Sequence, residues 1–119
     1  MSRTFLIDTD TASDDAVALI MALGASEVRV VAITTVAGNV PVEQATRNAL
    51  YTVELCGADV PVFMGAGKPL LRTYQNATWF HGRDGLGDHN YPAPRQSAEK
   101  IHAADAIIAR QSLRRSAAA

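Results

Sequence analysis

The chain has 119 residues, of which 48% are hydrophobic and 19% are charged, with a formal net charge of −1. These values are typical of a small globular protein, so a single domain is predicted over residues 1–119. The near-neutral charge argues against a nucleic-acid partner, and no apolar run is long enough to cross a membrane. The one cysteine, Cys56, has no partner for an internal disulfide, so a reducing, cytoplasmic location is predicted, with Cys56 buried in a helix.

The first half of the chain predicts alternating strands and helices. Residues 5–7 form an apolar strand, and a helix follows from Ser13, its predicted N-cap, to Gly24. Residues 28–36 are rich in β-branched side chains and predict the clearest strand. Its almost continuous apolar character is typical of a parallel strand that is covered on both faces.

The second half continues the alternation. A helix is expected with Pro41 in its first turn and Gly57 at its end, and a short strand is expected over residues 60–64. A final helix is predicted around residues 98–113. Its apolar face is expected to carry Ile101, Ala104 and Ile108. The order predicts an α/β fold with an open, mainly parallel sheet and flanking helices.

Residues 66–97 interrupt this pattern with prolines, glycines and few periodic apolar positions. A loop of this length in a compact domain usually carries function. His81 lies in it among glycines, which makes it a candidate site residue. The neighbouring Trp79 and Phe80 are expected to pack rather than to form a platform for a base.

Four aspartates follow the first strand within eight residues: Asp8, Asp10, Asp14 and Asp15. Crowded carboxylates repel one another, and a hard cation bound by oxygen ligands would relieve the repulsion. Asp14 and Asp15 are consecutive on a helix and point about 100° apart. We therefore expect one of them to bind a cation with Asp10 and the other to accept hydrogen bonds from a ligand.

Five motifs in chain order extend this pattern: DTDTASDD at residues 8–15, AITTVAGN at 32–39, TRNA at 46–49, GAGKPL at 65–70 and HGRDGLG at 81–87. Together they resemble the N-terminal part of the inosine–uridine-preferring nucleoside hydrolase family. The resemblance implies hydrolysis of the N-glycosidic bond of a ribonucleoside around one calcium ion. It also implies assembly into homodimers or homotetramers.

The resemblance implies a role for each matched residue. Asp10 and Asp15 would bind Ca²⁺, and Asp10 would also act as the base that activates water. Asp14 would bind ribose hydroxyls, and Asp8 would position the metal-binding residues without binding the metal itself. The chemistry suits an oxocarbenium-like transition state, which needs nearby negative charge and a held water.

Two further residues are assigned by the resemblance. Asn39 would bond the water or the ribose, although it could also cap the second helix. His81 would lie near the nucleobase, although it could be a loop residue with a structural hydrogen bond. His89 and His102 are expected to be structural or on the surface.

The chain is much shorter than the family it resembles, whose later half supplies further calcium ligands and ribose-binding groups. We therefore expect a truncated fragment, in which residues from about 111 to 119 form a non-native tail. Two aspartates cannot fill the shell of a calcium ion, which takes 6–8 oxygens. Weak metal binding and little hydrolysis are predicted for these residues alone.

Two alternatives remain open at this point. The run from residues 5 to 11 also fits the first motif of haloacid-dehalogenase-like phosphatases, with Asp8 as nucleophile, Asp10 as acid/base and Mg²⁺ as metal. That alternative leaves four residues without a role: Asp14, Asp15, Asn39 and His81. The other alternative is a non-catalytic remnant whose exposed sheet edge binds a partner or a second copy.

Overall fold

The computed structural model describes residues 2–118, without the side chains of residues 114, 115, 117 and 118. The last residue of the predicted tail, Ala119, lies outside this range. The elements are β1 (Arg3–Thr9), α1 (Ser13–Gly24), β2 (Val28–Thr35), α2 (Val42–Leu55), β3 (Val62–Met64), α3 (Thr78–His81) and α4 (Ala103–Ala118).

The three strands form one parallel sheet in the order β1-β2-β3. The register of β1 on β2 shifts between Phe5 and Leu6. The fold class predicted from the sequence is confirmed. Because all three strands run the same way, their carboxyl ends meet at one edge of the sheet, where ligands bind in open α/β folds.

Alternation along the strands divides the core between the two faces of the sheet. On one face, Ile33 and Val62 pack with side chains from α1 and α2, and the buried set is Leu19, Ile33, Ala49, Leu50, Val53, Val60 and Val62. On the other face, Ala32 and Phe63 pack with two alanines of α4. The last four residues of β2, 32–35, are all buried, as expected of a parallel strand that is covered on both faces.

The helix ends differ in detail from the predictions. Ser13 is the first residue of α1 rather than its N-cap, and the cap residue, Ala12, makes no side-chain capping bond. Pro41 is the N-cap of α2 rather than a first-turn residue. Gly57 ends α2 as predicted, with a φ of +62° that favours glycine.

The predicted apolar face of α4 is wrong. The helix begins at Ala103, and its buried residues are Ala103 and Ala106, whereas Ile101 is 57% exposed and Ile108 is 63% exposed. Glu99 forms an isolated bridge with Phe63, and residues 100–102 separate this bridge from the helix. Ile101 therefore precedes the helix, whereas the small side chains of Ala103 and Ala106 let α4 lie close to Ala32 and Phe63.

Two smaller expectations about burial also fail. Cys56 is the half-buried C-cap of α2 and lies outside the core. Trp79 and Phe80 are 83% and 72% exposed, so they do not pack in this chain, although their rings contact each other edge to face. No helix among residues 2–118 is long and apolar enough to span a bilayer.

Candidate functional site

The site is formed where β1 and β2 end. The main-chain N–H of Val36 donates to the carbonyl of Thr9 at 3.1 Å, which holds the two exits side by side. The segment after β1 therefore runs beside the turn after β2. The predicted site residues on these two segments, Asp10 and Asn39, come from parts of the chain 29 residues apart.

Asp10 is fixed by the turn that follows β2. The main-chain N–H of Asn39 donates to its Oδ2 at 2.8 Å. A side chain on Gly38 would collide with the Asp10 carboxylate, so the turn passes as close as a glycine allows. The side chain of Asn39 does not cap α2, because the N-cap is Pro41 and no side-chain capping bond is made. The capping alternative for Asn39 is therefore wrong.

Asp15 lies in the first turn of α1, beside Asp10. The hydroxyl of the buried Thr9 donates to its Oδ2 at 2.6 Å. Burial raises the pKa of Asp15, and the neighbouring charges of Asp10 and Asp14 raise it further, against the opposing hydrogen bond from Thr9. The carboxylates of Asp10 and Asp15 are thus adjacent, within hydrogen-bonding reach of each other, and their negative charges oppose each other.

The other two aspartates point elsewhere. Asp14 is exposed in the first turn of α1, whereas Asp15 is partly buried, so the consecutive pair diverges as predicted. Asp8 accepts a hydrogen bond from the Thr34 hydroxyl at 2.6 Å. That bond ties Asp8 to β2 and not to the Asp10–Asp15 pair.

His81 is the last residue of α3 and reaches the same edge. Its Nδ1 is 3.1 Å from the Oγ of Ser13, which opens α1 next to Asp14. The segment before it is held by the N–H of Ala77, which donates to the carbonyl of Asn39 at 2.8 Å. The long loop therefore returns to the aspartates, and the residues brought together at this edge are Asp10, Asp14, Asp15, Asn39 and His81.

The sequence predicted no role for three polar residues at the site. Thr9 orients Asp15, and Asn48 is buried in α2 beneath the loop. Tyr74 donates its hydroxyl to the carbonyl of Gly38 at 3.1 Å, and burial raises its pKa, with Asp10 and Glu43 adding to the effect. Asn48 is a polar residue on the apolar face of a helix, and in a sequence such a residue indicates a buried side chain with hydrogen-bond partners.

The loop after His81 is closed on itself by Asp84. One oxygen of its carboxylate accepts the N–H groups of Leu86 and Asp88 at 2.8 and 2.9 Å. Burial acts to raise the pKa of Asp84, but these hydrogen bonds outweigh it and hold the pKa below its usual value. The charged carboxylate therefore stabilises the turn.

The turn is expected to loosen in acid. Because the pKa of Asp84 is lower in the folded turn than the unfolded value of 3.8, its contribution is present above that pH and is lost as the pH falls through the lower folded value. The amide shifts of Leu86 and Asp88, followed by nuclear magnetic resonance in acid, should share an inflection below pH 3.8. The inflection should vanish in Asp84→Asn. A shared midpoint at or above that value would contradict the assignment.

Within the part of the chain that the structure describes, no group of three or more His, Cys, Asp or Glu side chains could hold a metal ion. Asp10 and Asp15 provide two carboxylates. A cavity of about 840 Å³ lies away from them, beside the amino-terminal half of β1, and is lined in part by Phe5, Ile107 and Arg110.

The whole arrangement can be compared with known proteins. The model of the inosine-uridine preferring nucleoside hydrolase family matches residues 5–118. The chain belongs to this family. The matches give no support to the phosphatase alternative, in which Asp8 would be the nucleophile.

Named relatives agree with this assignment. The inosine-uridine preferring nucleoside hydrolase of Leishmania major is 40% identical over 110 residues, which are 91% of this chain and 35% of that protein. The probable uridine nucleosidase 2 of Arabidopsis thaliana is 44% identical over 96 residues, 78% of this chain and 30% of that protein. The present chain thus spans about a third of the length of these relatives.

Solved structures place the fold in the same family. A purine-preferring ribonucleoside hydrolase from Gardnerella vaginalis superposes with a TM-score of 0.85 and 34% sequence identity. The superposition covers 90% of this chain and 35% of the Gardnerella chain. The three-stranded sheet with its helices is therefore the fold of one part of a nucleoside hydrolase.

Proposed function

We propose that this chain supplies the carboxylate part of the active site of a calcium-dependent ribonucleoside hydrolase. The reaction is cleavage of the N-glycosidic bond by water to give ribose and a free base. The proposal rests on one observation above all. Asp10 and Asp15 lie side by side at the carboxyl edge of the sheet, while Asp14 beside them is exposed to solvent.

The donor set fits a hard cation. Asp10 accepts the N–H of Asn39, and Asp15 accepts the hydroxyl of Thr9. The two carboxylates are also within hydrogen-bonding reach of each other, so a Ca²⁺ held by both would relieve their mutual repulsion. When bound, the cation would lower the pKa of a water molecule and offset the charge of the pair. Water, substrate and further protein oxygens would complete its coordination.

The other residues are assigned by where they lie. Asp10 accepts the proton of the attacking water. Asp14 accepts hydrogen bonds from ribose hydroxyls, for which its exposed carboxylate is free. Asn39 hydrogen-bonds the ribose or the attacking water, and His81 hydrogen-bonds the nucleobase. These two residues come from the two segments that flank the aspartates. Negative charge close to the sugar stabilises the positive charge that develops as the glycosidic bond breaks.

The proposal has a consequence for these residues in isolation. Because they provide two carboxylates to the cation, Ca²⁺ binding is weak and hydrolysis is slight without the ligands that the longer relatives contain. Asp8 supports the strand end through Thr34. A cytoplasmic location and assembly into dimers or tetramers stay predictions.

A chimera tests the function directly. Residues 5–118 would replace the matching third of the Leishmania major hydrolase, and release of base from inosine and uridine would be measured with and without calcium. We expect calcium-dependent release of base by the chimera and almost none by the 119-residue chain. A folded chimera without activity would favour the alternative of a non-catalytic remnant.

A further inference from the structure

The side chain of Asn48 joins three separate parts of the chain. The residue is 2% exposed, and its Nδ2 donates to the carbonyls of Thr11 at 2.9 Å and Asp84 at 2.7 Å. Its Oδ1 accepts a hydrogen bond from Gln44 Nε2 at 2.8 Å. Both amide hydrogens and the amide oxygen are therefore engaged. Because each polar atom of this buried amide has a hydrogen-bond partner, a substitution at Asn48 would leave buried polar groups unpaired.

The two carbonyls belong to the two segments that carry the site. Thr11 follows Asp10 directly and lies in the turn that leads into α1. Asp84 follows His81 by three residues. One amide group on α2 thus holds the aspartate segment and the histidine loop at a fixed separation.

The loop around Asp84 is rigid enough to transmit this constraint to His81. The N–H of Gly87 donates to the carbonyl of His81 at 2.9 Å, and the carboxylate of Asp84 accepts two main-chain N–H groups. Gly85 is buried with a φ of +75°, and a Cβ there would lie 2.7 Å from a methyl of Val40. A shift at Asp84 would therefore move the His81 end of the loop as well.

We propose that Asn48 is a positioning residue that sets where His81 lies relative to the aspartates. This inference rests on the proposed function, in which His81 meets the nucleobase and Asp14 meets the ribose. Asn48 contacts neither His81 nor an aspartate side chain in the hydrogen bonds described. A carboxylate in its place would set an oxygen against two carbonyl oxygens, so a neutral amide with two donor hydrogens is required.

The test uses the 119-residue chain and three variants. Asn48→Ala removes the amide, and Asn48→Asp keeps its shape without the two donors. Thr52→Ala is the matched control, because the buried Thr52 hydroxyl donates at 2.8 Å to the carbonyl of Asn48 one turn away. It removes a buried hydrogen bond of α2 without touching either segment.

Nuclear magnetic resonance reports the position of His81 directly. In the native chain and in Thr52→Ala, the ring protons of His81 should show contacts to Ser13 and one set of ring signals. In both Asn48 variants the contacts should be lost and the ring signals should shift toward those of an unstructured histidine. If Asn48→Ala does not fold, Asn48→Ser keeps one donor on a shorter side chain and is judged by the same signals.

Two results would overturn the inference: unchanged Ser13–His81 contacts in the folded Asn48 variants, or an equal loss in Thr52→Ala. A titration with inosine in the presence of calcium separates this inference from the proposed function. Absence of any inosine-induced shift in the folded chimera would count against the function. The Ser13–His81 contacts would still decide the role of Asn48.

Discussion

Asp10→Asn is expected to abolish calcium-dependent hydrolysis by the chimera while leaving the fold intact. Asp10 is assigned two roles, as a ligand of the cation and as the base that accepts the proton of water. Removal of a general base typically lowers the rate 10²–10⁴-fold. Loss of a metal ligand adds to this, so kcat/KM for inosine should fall by at least about 10³-fold. Initial rates at saturating calcium and a calcium titration measure the two contributions separately.

Folding should not suffer from the same change. The introduced amide can still accept the N–H of Asn39 through its oxygen, as the Asp10 carboxylate does now. It also removes a negative charge next to Asp15, whose pKa is raised by burial and by that charge. Thermal unfolding of Asp10→Asn should therefore occur at the native temperature or above it.

The matched control is Asp59→Asn, which makes the same chemical change at an exposed position after α2. Its rate and its calcium affinity should equal those of the native sequence. The assignment of Asp10 would be refuted by a stable Asp10→Asn chimera that retained a tenth or more of the native rate.

Much of the site was predictable because it depends on where strands end. A buried parallel strand followed by carboxylates sets those carboxylates at the carboxyl edge of the sheet, and a second parallel strand that is followed by Gly38 and Asn39 brings those residues to the same edge. Divergence of Asp14 from Asp15 follows from the 100° step of a helix. Local sequence determines each of these features, and the structure agrees with all of them.

The features that were missed depend on contacts between distant residues. The buried face of α4 is the one whose alanines, Ala103 and Ala106, pack against Ala32 and Phe63 of the sheet. The helical periodicity predicted Ile101 and Ile108 on the buried face, because they are the most hydrophobic side chains at that spacing. Periodicity carries no information on how closely the helix approaches the sheet. The anchoring of Asp84 by Asn48 spans 36 residues and had no local signal beyond a polar residue in an apolar helix face.

Gly38→Ala is the second change with a large expected effect, and it acts on Asp10 without altering any charged group. An added Cβ would lie 2.6 Å from the Cβ of Asp10 and 2.7 Å from its Cγ, closer than carbon atoms pack in proteins. Either the turn after β2 or the Asp10 side chain must move. The bond from the N–H of Asn39 is then lost, since it requires both in their present positions.

The expected result is a fall in the free energy of unfolding of about 1–3 kcal/mol, the usual cost of overpacking a closed site. In the chimera, kcat/KM should fall by about 10²-fold, because displacing a catalytic group by an ångström is enough for such a loss. Chemical denaturation of the 119-residue chain and rates of the chimera measure the two effects.

Gly24→Ala supplies the control, because no atom of the described residues lies within 4 Å of an added Cβ at the end of α1. It makes the same substitution in a place with room, so stability should be equal or slightly greater. The comparison separates a steric effect on Asp10 from a general effect of replacing glycine. Native calcium affinity and native rates in Gly38→Ala would mean that the position of Asp10 against the Asn39 turn has no part in the chemistry.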